Sequence, residues 1–195
     1  MELKRVVVTG MGAITPIGNS VEEAWNNAIN GVSGAAPITH FDTEKFKTKF
    51  ACEVKGFNAA DYIDPKEARK MDLYSQYAIA AAKQAMADSK MDLEKVNLDR
   101  IGVIYGVGIG GLRTFEEEYG YYERTKENGP KFNPFFIPKM ISDISVGHIS
   151  IMQNTFESSS AVIGSNVSGF KRGAGLFFMS ARTLYHCFGI SCSSK

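Results

Sequence analysis

The sequence has little net charge, few cysteines and no long hydrophobic run. Its 195 residues hold 22 lysines and arginines against 21 aspartates and glutamates, which gives a net charge of +1. This balance gives no electrostatic case for nucleic acid or an anionic membrane surface as a partner. No apolar stretch approaches the roughly 20 residues of a membrane-spanning helix, and the start lacks the apolar segment of a signal peptide. We therefore expect a cytoplasmic protein.

Side chains that bind metals or form disulfides are also scarce. The three cysteines, Cys52, Cys187 and Cys192, fit neither a disulfide framework nor paired zinc-binding CxxC motifs. No histidine has a partner at the spacing of a metal site or a catalytic triad, so we expect structural roles for all three (His40, His148 and His186). The sequence predicts no cofactor and no metal. The run Glu116–Glu118 is interpreted as a solvated helix face rather than a pair of catalytic carboxylates.

A glycine pattern at the start of the chain is incomplete. The stretch RVVVTGMGAITPIG (5–18) contains Gly10-x-Gly12, but the third glycine of a dinucleotide-binding loop is missing. No helix can begin there, because the next capping signal is Ser20. The acidic residue expected about 20 positions later, at the end of a second strand, is absent as well. We interpret the glycines as a tight turn between a strand and a loop.

Local patterns up to residue 151 indicate alternating strands and helices. The valines at 6–8 predict a strand buried on both faces. Ser20 and Glu23 form a capping box, and Gly31 ends the helix that follows. The apolar face of this helix consists of Val21, Ala24, Trp25, Ala28 and Ile29.

Two further elements complete this pattern. Asp64 and Pro65 open a longer, alanine-rich helical region, and IGVIYGVG (101–108) is a second buried strand. The order of strand, helix, helix and strand favours a layered α/β fold.

The character of the sequence changes after Ile151. Residues 152–195 are rich in serine, contain no proline and have Glu157 as their only acidic residue. The stretch FFMSARTLYHCF (177–188) could form a short amphipathic helix or remain a poorly specified apolar segment. Agreement between the local signals is weaker here than in the preceding part of the chain.

Six motifs follow one another along residues 1–151 without large gaps: RVVVTGMGAITPIGNSVEEAW, HFDTEKFKTKFACEVKGFN, RKMDLYSQYAIAAAKQAM, GVGIGGL, PFFIPKMISD and GHISI. Together they resemble the β-ketoacyl-acyl carrier protein synthases, the condensing enzymes of fatty-acid synthesis. The similarity is greatest to the bacterial type II enzymes.

The resemblance implies a thiolase-like layered α/β fold, of which residues 1–151 form the N-terminal half. Residues 152–195 are then a divergent tail that does not match the family. The resemblance also implies that the protein is a homodimer and that acyl carrier protein is its partner. Its two substrates would be an acyl thioester and a carrier-bound malonyl group.

Family members carry a nucleophilic cysteine, which accepts the acyl chain as a thioester. Counted from the His148 of GHISI, that position falls on Asn166, which has no sulfur. Cys192 lies three residues from the end and is interpreted as a terminal thiol rather than a displaced nucleophile; Cys52 is interpreted as a small buried residue. The two catalytic histidines of the family would lie beyond Lys195. We therefore expect a truncated and inactive chain with no catalytic residue.

The family's acyl pocket corresponds here to Ile109, Phe136 and Ile137. In the family the last two positions come from the partner subunit, so the pocket requires a dimer. The alternative is that all three are ordinary core residues. An alternative to the synthase function is a non-catalytic partner subunit that shapes the length of the acyl chain.

In the family, the C-terminal half covers part of the apolar strand faces of the N-terminal half. Because this cover is missing here, we also expect poor solubility or oligomers, and early hydrogen exchange in the tail.

Overall fold

The structure, a computed structural model, describes residues 7–98, 101–129, 131–152, 158–163 and 186–192. These residues form six helices and six strands, joined in places by short 3-10 turns. In chain order, the elements are β1 (Val7–Ile14), α1 (Val21–Ile29), β2 (Ala36–Pro37), β3 (Phe50–Ala51), α2 (Pro65–Ala68), α3 (Leu73–Ser89), β4 (Gly102–Val107), α4 (Leu112–Thr125), α5 (Phe136–Met140), α6 (Ile144–Met152), β5 (Ser158–Ile163) and β6 (His186–Cys192).

The core is built around α3, which packs against β1 and α6. Its buried side is made of small residues, chiefly alanines between 78 and 85. The helix also lies directly on the two glycines of β1. A Cβ atom at Gly10 or Gly12 would overlap backbone atoms of Ala85 or Ala81. The Gly-x-Gly pattern therefore permits close packing of a helix on a strand.

The strand pairings join the start and the end of the described chain. β1 pairs with β6 in antiparallel fashion, and β4 pairs with β5 in parallel fashion. β2 and β3 form a third, two-residue pairing. The tail thus contributes a strand to each of the two longer pairings. Even Ser158–Ser160, the most biased tract of the sequence, lies in β5.

The expectation for the start of β1 is wrong, and one of the two alternatives for residues 177–188 is contradicted in part. Val7 and Val8 are exposed, whereas a strand buried on both faces was predicted. The first half of β1 lies beyond the part that α3 covers, and burial begins at Gly10. The helix considered for 177–188 is not formed at its end, because residues 186–188 belong to β6; residues 177–185 lie outside the described residues.

The first helix begins and ends as predicted. The Ser20 hydroxyl accepts the Glu23 N–H at 3.1 Å, and Glu23 accepts the N–H of Asn19 at 2.7 Å. Gly31 has a φ of +69°, the left-handed conformation that stops a helix. The predicted second strand is also present, since every second residue of β4 is buried (Val103, Tyr105 and Val107).

Candidate functional site

The three residues predicted to line an acyl pocket lie on adjoining elements. Ile109 is in the loop after β4, and Phe136 and Ile137 begin α5. The loop touches the other end of α5, because the Gly111 N–H donates to the Met140 carbonyl oxygen at 3.0 Å. The structure therefore brings these two segments together, although they are far apart in sequence.

Two glycines make this contact possible. A Cβ atom at Gly111 would overlap the carbonyl oxygen of Lys139, and one at Gly110 would meet that of Met140 at 2.6 Å. Gly110 also has a φ of +98°, a conformation that other residues rarely adopt. Bulkier residues here would push the loop that carries Ile109 away from α5.

A partly buried polar contact holds the surrounding helices in place. The Asp72 carboxylate caps α3 by accepting the Tyr74 N–H at 3.3 Å. Its other oxygen accepts the hydroxyl and the N–H of Thr114, at 2.5 and 3.3 Å. The Tyr74 hydroxyl donates to the Ile141 carbonyl oxygen at 2.6 Å. One turn of α3 thereby positions the start of α4 and the residue after α5. This contact, which we call the Asp72 clamp, comprises Asp72, Tyr74, Thr114 and Ile141.

The charge state of the clamp suits this role. Burial raises the pKa of Tyr74, so its hydroxyl remains a neutral donor across the physiological range. The sequence patterns do not predict the contacts of the clamp. The only signal available was the aspartate before an apolar helix, which predicts a cap and does not identify Thr114 as a second partner.

Stacked aromatic rings connect α4 with the segment before α5. Phe136 stacks on Phe115 and on Phe132, with ring centroids 6.3 and 5.7 Å apart. Tyr122 stacks on Phe132 at 5.4 Å, and Phe115 on Tyr119 at 6.1 Å. These contacts hold Phe136 partly buried. We call these five residues the aromatic cluster.

The apolar residues around the cluster face solvent. Ile109 is 69% exposed and Ile137 is 51% exposed. Within α4, all of which the structure describes, Thr114 is the only buried residue. In the described part of the chain, Ile109 and Ile137 are therefore not core residues, and Phe136 is only partly buried. A shallow depression of about 310 Å³ adjoins the aromatic cluster at Phe132 and is not lined by the three predicted residues. Its lining consists of Glu118, Tyr121, Lys131, Phe132 and Asn133.

The structure describes two of the three candidate nucleophile positions. Asn166 lies outside the described residues. Cys192 ends β6, where it pairs in register with Val7 of β1. Cys52 follows β3 and has a free, partly buried thiol.

The histidines lie in separate elements. His40 is 3.8 Å from the Glu53 carboxylate at the surface, and the Thr39 hydroxyl bonded to Glu53 at 2.7 Å lowers the pKa of that carboxyl. His148 is half-buried in α6, where burial lowers its pKa. His186 begins β6. Among the residues that the structure describes, no group of histidine, cysteine and acidic side chains could hold a metal ion.

The glutamate run lies on α4. Glu116 and Glu117 are exposed, as predicted for a solvated face, and Glu117 pairs with Arg113 at 2.8 Å. In the described part of the chain, no helix is both long and apolar enough to span a membrane.

Comparison with known proteins gives consistent matches. A family model described as "Beta-ketoacyl synthase, N-terminal domain" matches residues 3–168. A 3-oxoacyl-[acyl-carrier-protein] synthase 2 from Staphylococcus aureus (strain COL) is 48% identical over 149 residues. The match covers 76% of this chain and 35% of the relative. The chain thus spans about a third of the length of this curated relative.

Solved structures give the same result. The ishigamide ketosynthase/chain length factor matches with a TM-score of 0.74 at 28% identity, over 84% of this chain and 40% of that one. A type II PKS acyl-carrier protein in complex with its ketosynthase, bound to the hexaketide, matches with a TM-score of 0.66 at 27% identity. That match covers 81% of this chain and 41% of the other. The predicted fold class, the N-terminal part of a thiolase-like α/β fold, is confirmed.

Proposed function

The chain belongs to the β-ketoacyl synthase family, and from this premise we propose that it is an acyl-binding subunit that does not itself catalyse condensation. Its ligand would be the acyl chain of a thioester carried by acyl carrier protein. Its partner would be a second synthase chain, either another copy or a full-length enzyme.

One observation carries this proposal. The loop with Ile109 contacts the end of the helix that begins with Phe136 and Ile137, and both isoleucines are exposed. Isolated exposed apolar residues are common, but an extended exposed patch is typical of a binding site or an interface. Such a surface could hold an acyl chain once a second protein covers it. The Asp72 clamp and the aromatic cluster fix its shape from within the chain.

Counted from His148, the position of the family's nucleophilic cysteine falls on Asn166 in this chain. Condensation in this family requires a cysteine thiolate to carry the acyl group. A side-chain amide is a poor nucleophile and forms no thioester. Asn166 therefore supports a binding role rather than a catalytic one. This favours the partner subunit over the active synthase, and one of the matched structures is described as a ketosynthase/chain length factor.

The binding proposal can be tested with immobilised acyl carrier protein that bears a long-chain acyl group. The purified chain is added with and without a full-length 3-oxoacyl-[acyl-carrier-protein] synthase 2. We expect the loaded carrier protein to capture the chain and the synthase together. The substitution Ile137→Gln should weaken this capture at least about tenfold, because it places a polar amide in an apolar contact. Ile151→Gln is the matched control, since Ile151 is a comparably exposed isoleucine on α6, outside the apolar faces of α1 and α4.

The catalytic part of the proposal has its own measurement. The chain alone should release no carbon dioxide from malonyl-acyl carrier protein and should acquire no acyl label. Turnover by the purified chain would contradict the non-catalytic role. Equal capture of the Ile137→Gln variant and the parent would contradict the placement of the binding surface.

A further inference from the structure

The backbone of β1 is covered on one side by two side chains of α3. The Met11 N–H donates to Asp88 at 2.8 Å, and the Ala13 N–H donates to Gln84 at 3.0 Å. Four helical residues rise about 6 Å, close to the roughly 7 Å that separates every second residue of a strand. Gln84 and Asp88 are therefore spaced to accept two successive N–H groups that point away from β6.

The other side of β1 is covered by the tail. In an antiparallel pair, directly opposed residues alternate between hydrogen-bonded and non-bonded pairs. Because Met11 and Ala13 donate to α3, their pairs with Gly189 and Cys187 are the non-bonded ones. The hydrogen-bonded pairs are then Gly10 with Ile190, Gly12 with Phe188, and Ile14 with His186.

Without β6, this side of β1 would be an open strand edge. The strand contains neither lysine nor proline, the residues that commonly prevent strands from pairing between molecules. It also carries exposed apolar side chains, including Val8 and Met11. An edge of this kind is a template for pairing with another strand.

We propose that residues 186–192 form an edge guard, a strand that docks on β1 of its own chain and prevents β1 from pairing with β1 of a second copy. The guard acts independently of acyl binding, since it lies on β1 and not on α4 or α5.

Proline substitutions in the full chain test the guard. Phe188→Pro removes an N–H that bonds to Gly12, whereas Cys187→Pro changes a residue whose N–H points away from β1. Phe188→Ala removes the aromatic ring and keeps the N–H. By sedimentation velocity over a concentration series, we expect Phe188→Pro to associate at about tenfold lower concentration than the parent. Cys187→Pro and Phe188→Ala should follow the parent.

Hydrogen exchange of the same variants identifies the strand that is released. In Phe188→Pro, the amides of Gly10, Gly12 and Ile14 should lose protection under conditions where the protein is monomeric. The amides of Met11 and Ala13 should keep theirs, because α3 still accepts them. Loss of protection throughout α3 as well would show that the whole core is released and not the β1 edge alone, and would overturn the proposal.

The double variant Met11→Lys with Phe188→Pro places a charge at the exposed edge. It should return the protein to the parent's sedimentation behaviour, because a lysine on an edge strand opposes pairing between molecules. The proposal is overturned if Phe188→Pro and Cys187→Pro associate equally. It is also overturned if Phe188→Pro remains monomeric with its edge amides exposed, or if Met11→Lys leaves the association unchanged.

Discussion

Helices α3 and α1 use their apolar residues in opposite ways. α3 has eight buried residues between Tyr74 and Ala85. They are mostly small and lie on several sides of the helix, so they form no pronounced apolar stripe. α1 has a clear apolar face, yet none of its described residues is buried. Trp25 is 66% exposed and Ile29 is 63% exposed. A strong apolar face therefore does not establish that a helix is buried within its own chain.

The difference has a physical origin in side-chain size. Alanine and glycine let α3 and β1 approach closely within this chain, and close packing makes the contact sensitive to a single added methyl group. The large residues of α1 and α4 require a matching surface opposite them. The described part of this chain does not provide one, which agrees with a family fold of which this chain spans about a third.

The largest effect is expected where α3 meets β1. Gly12→Ala would place a methyl group against the Ala81 carbonyl oxygen, and neither backbone can move away easily. We expect a loss of about 3 kcal/mol in the free energy of unfolding, measured by urea denaturation. Gly147→Ala in α6 is the control. Its Cβ would meet open space, and removing a helical glycine should stabilise by about 0.5–1 kcal/mol. Equal effects of the two substitutions would disprove the close-packing argument.

The Asp72 clamp should have the next largest effect. Asp72→Ala removes the cap of α3 and leaves the buried Thr114 hydroxyl without its acceptor. The expected loss is about 2 kcal/mol of unfolding free energy. Asp64→Ala, which removes only the 2.8 Å cap of the four-residue α2, should cost less than 1 kcal/mol. A larger loss at Asp64 than at Asp72 would refute the linking role assigned to the clamp.

Exposed residues of α1 should matter little for folding. Trp25→Gln should change the unfolding free energy by less than about 0.5 kcal/mol, because the ring is already in water. In the same assay, a loss above about 1 kcal/mol would show that α1 packs its apolar face within the chain. Helix α1 would then be buried within the chain as α3 is, and the two helices would not differ in this respect.

Local patterns predicted the elements better than their burial. Ser20, Glu23 and Gly31 define α1 through contacts within a few residues, so the sequence was sufficient. Burial of Val7 and Val8 depends on what lies beside β1, and that information is not local. Residues 158–160 form a strand because β4 lies beside them, against the weak strand preference of serine.

The candidate site shows the same division. The family resemblance selected Ile109, Phe136 and Ile137, and the structure brings their segments together through Gly111 and Met140. Whether they bind an acyl chain stays a prediction. The Asp72 clamp joins residues more than 40 positions apart, so no local pattern could have identified Thr114 as a partner of Asp72.

The smallest expected effect is a pH dependence from His148, which lies at the edge of the α3 core. Burial lowers its pKa below the ordinary value of 6.5, although the negative charge of Glu67 opposes the shift. As the pH falls below about 6.5, the unfolded chain binds a proton that the folded chain does not, so stability declines toward the folded-state pKa. His148→Gln should flatten this decline in urea unfolding at several pH values. Trp25→Gln keeps His148 and should decline like the parent; an unchanged pH dependence in His148→Gln would rule out His148 as its source.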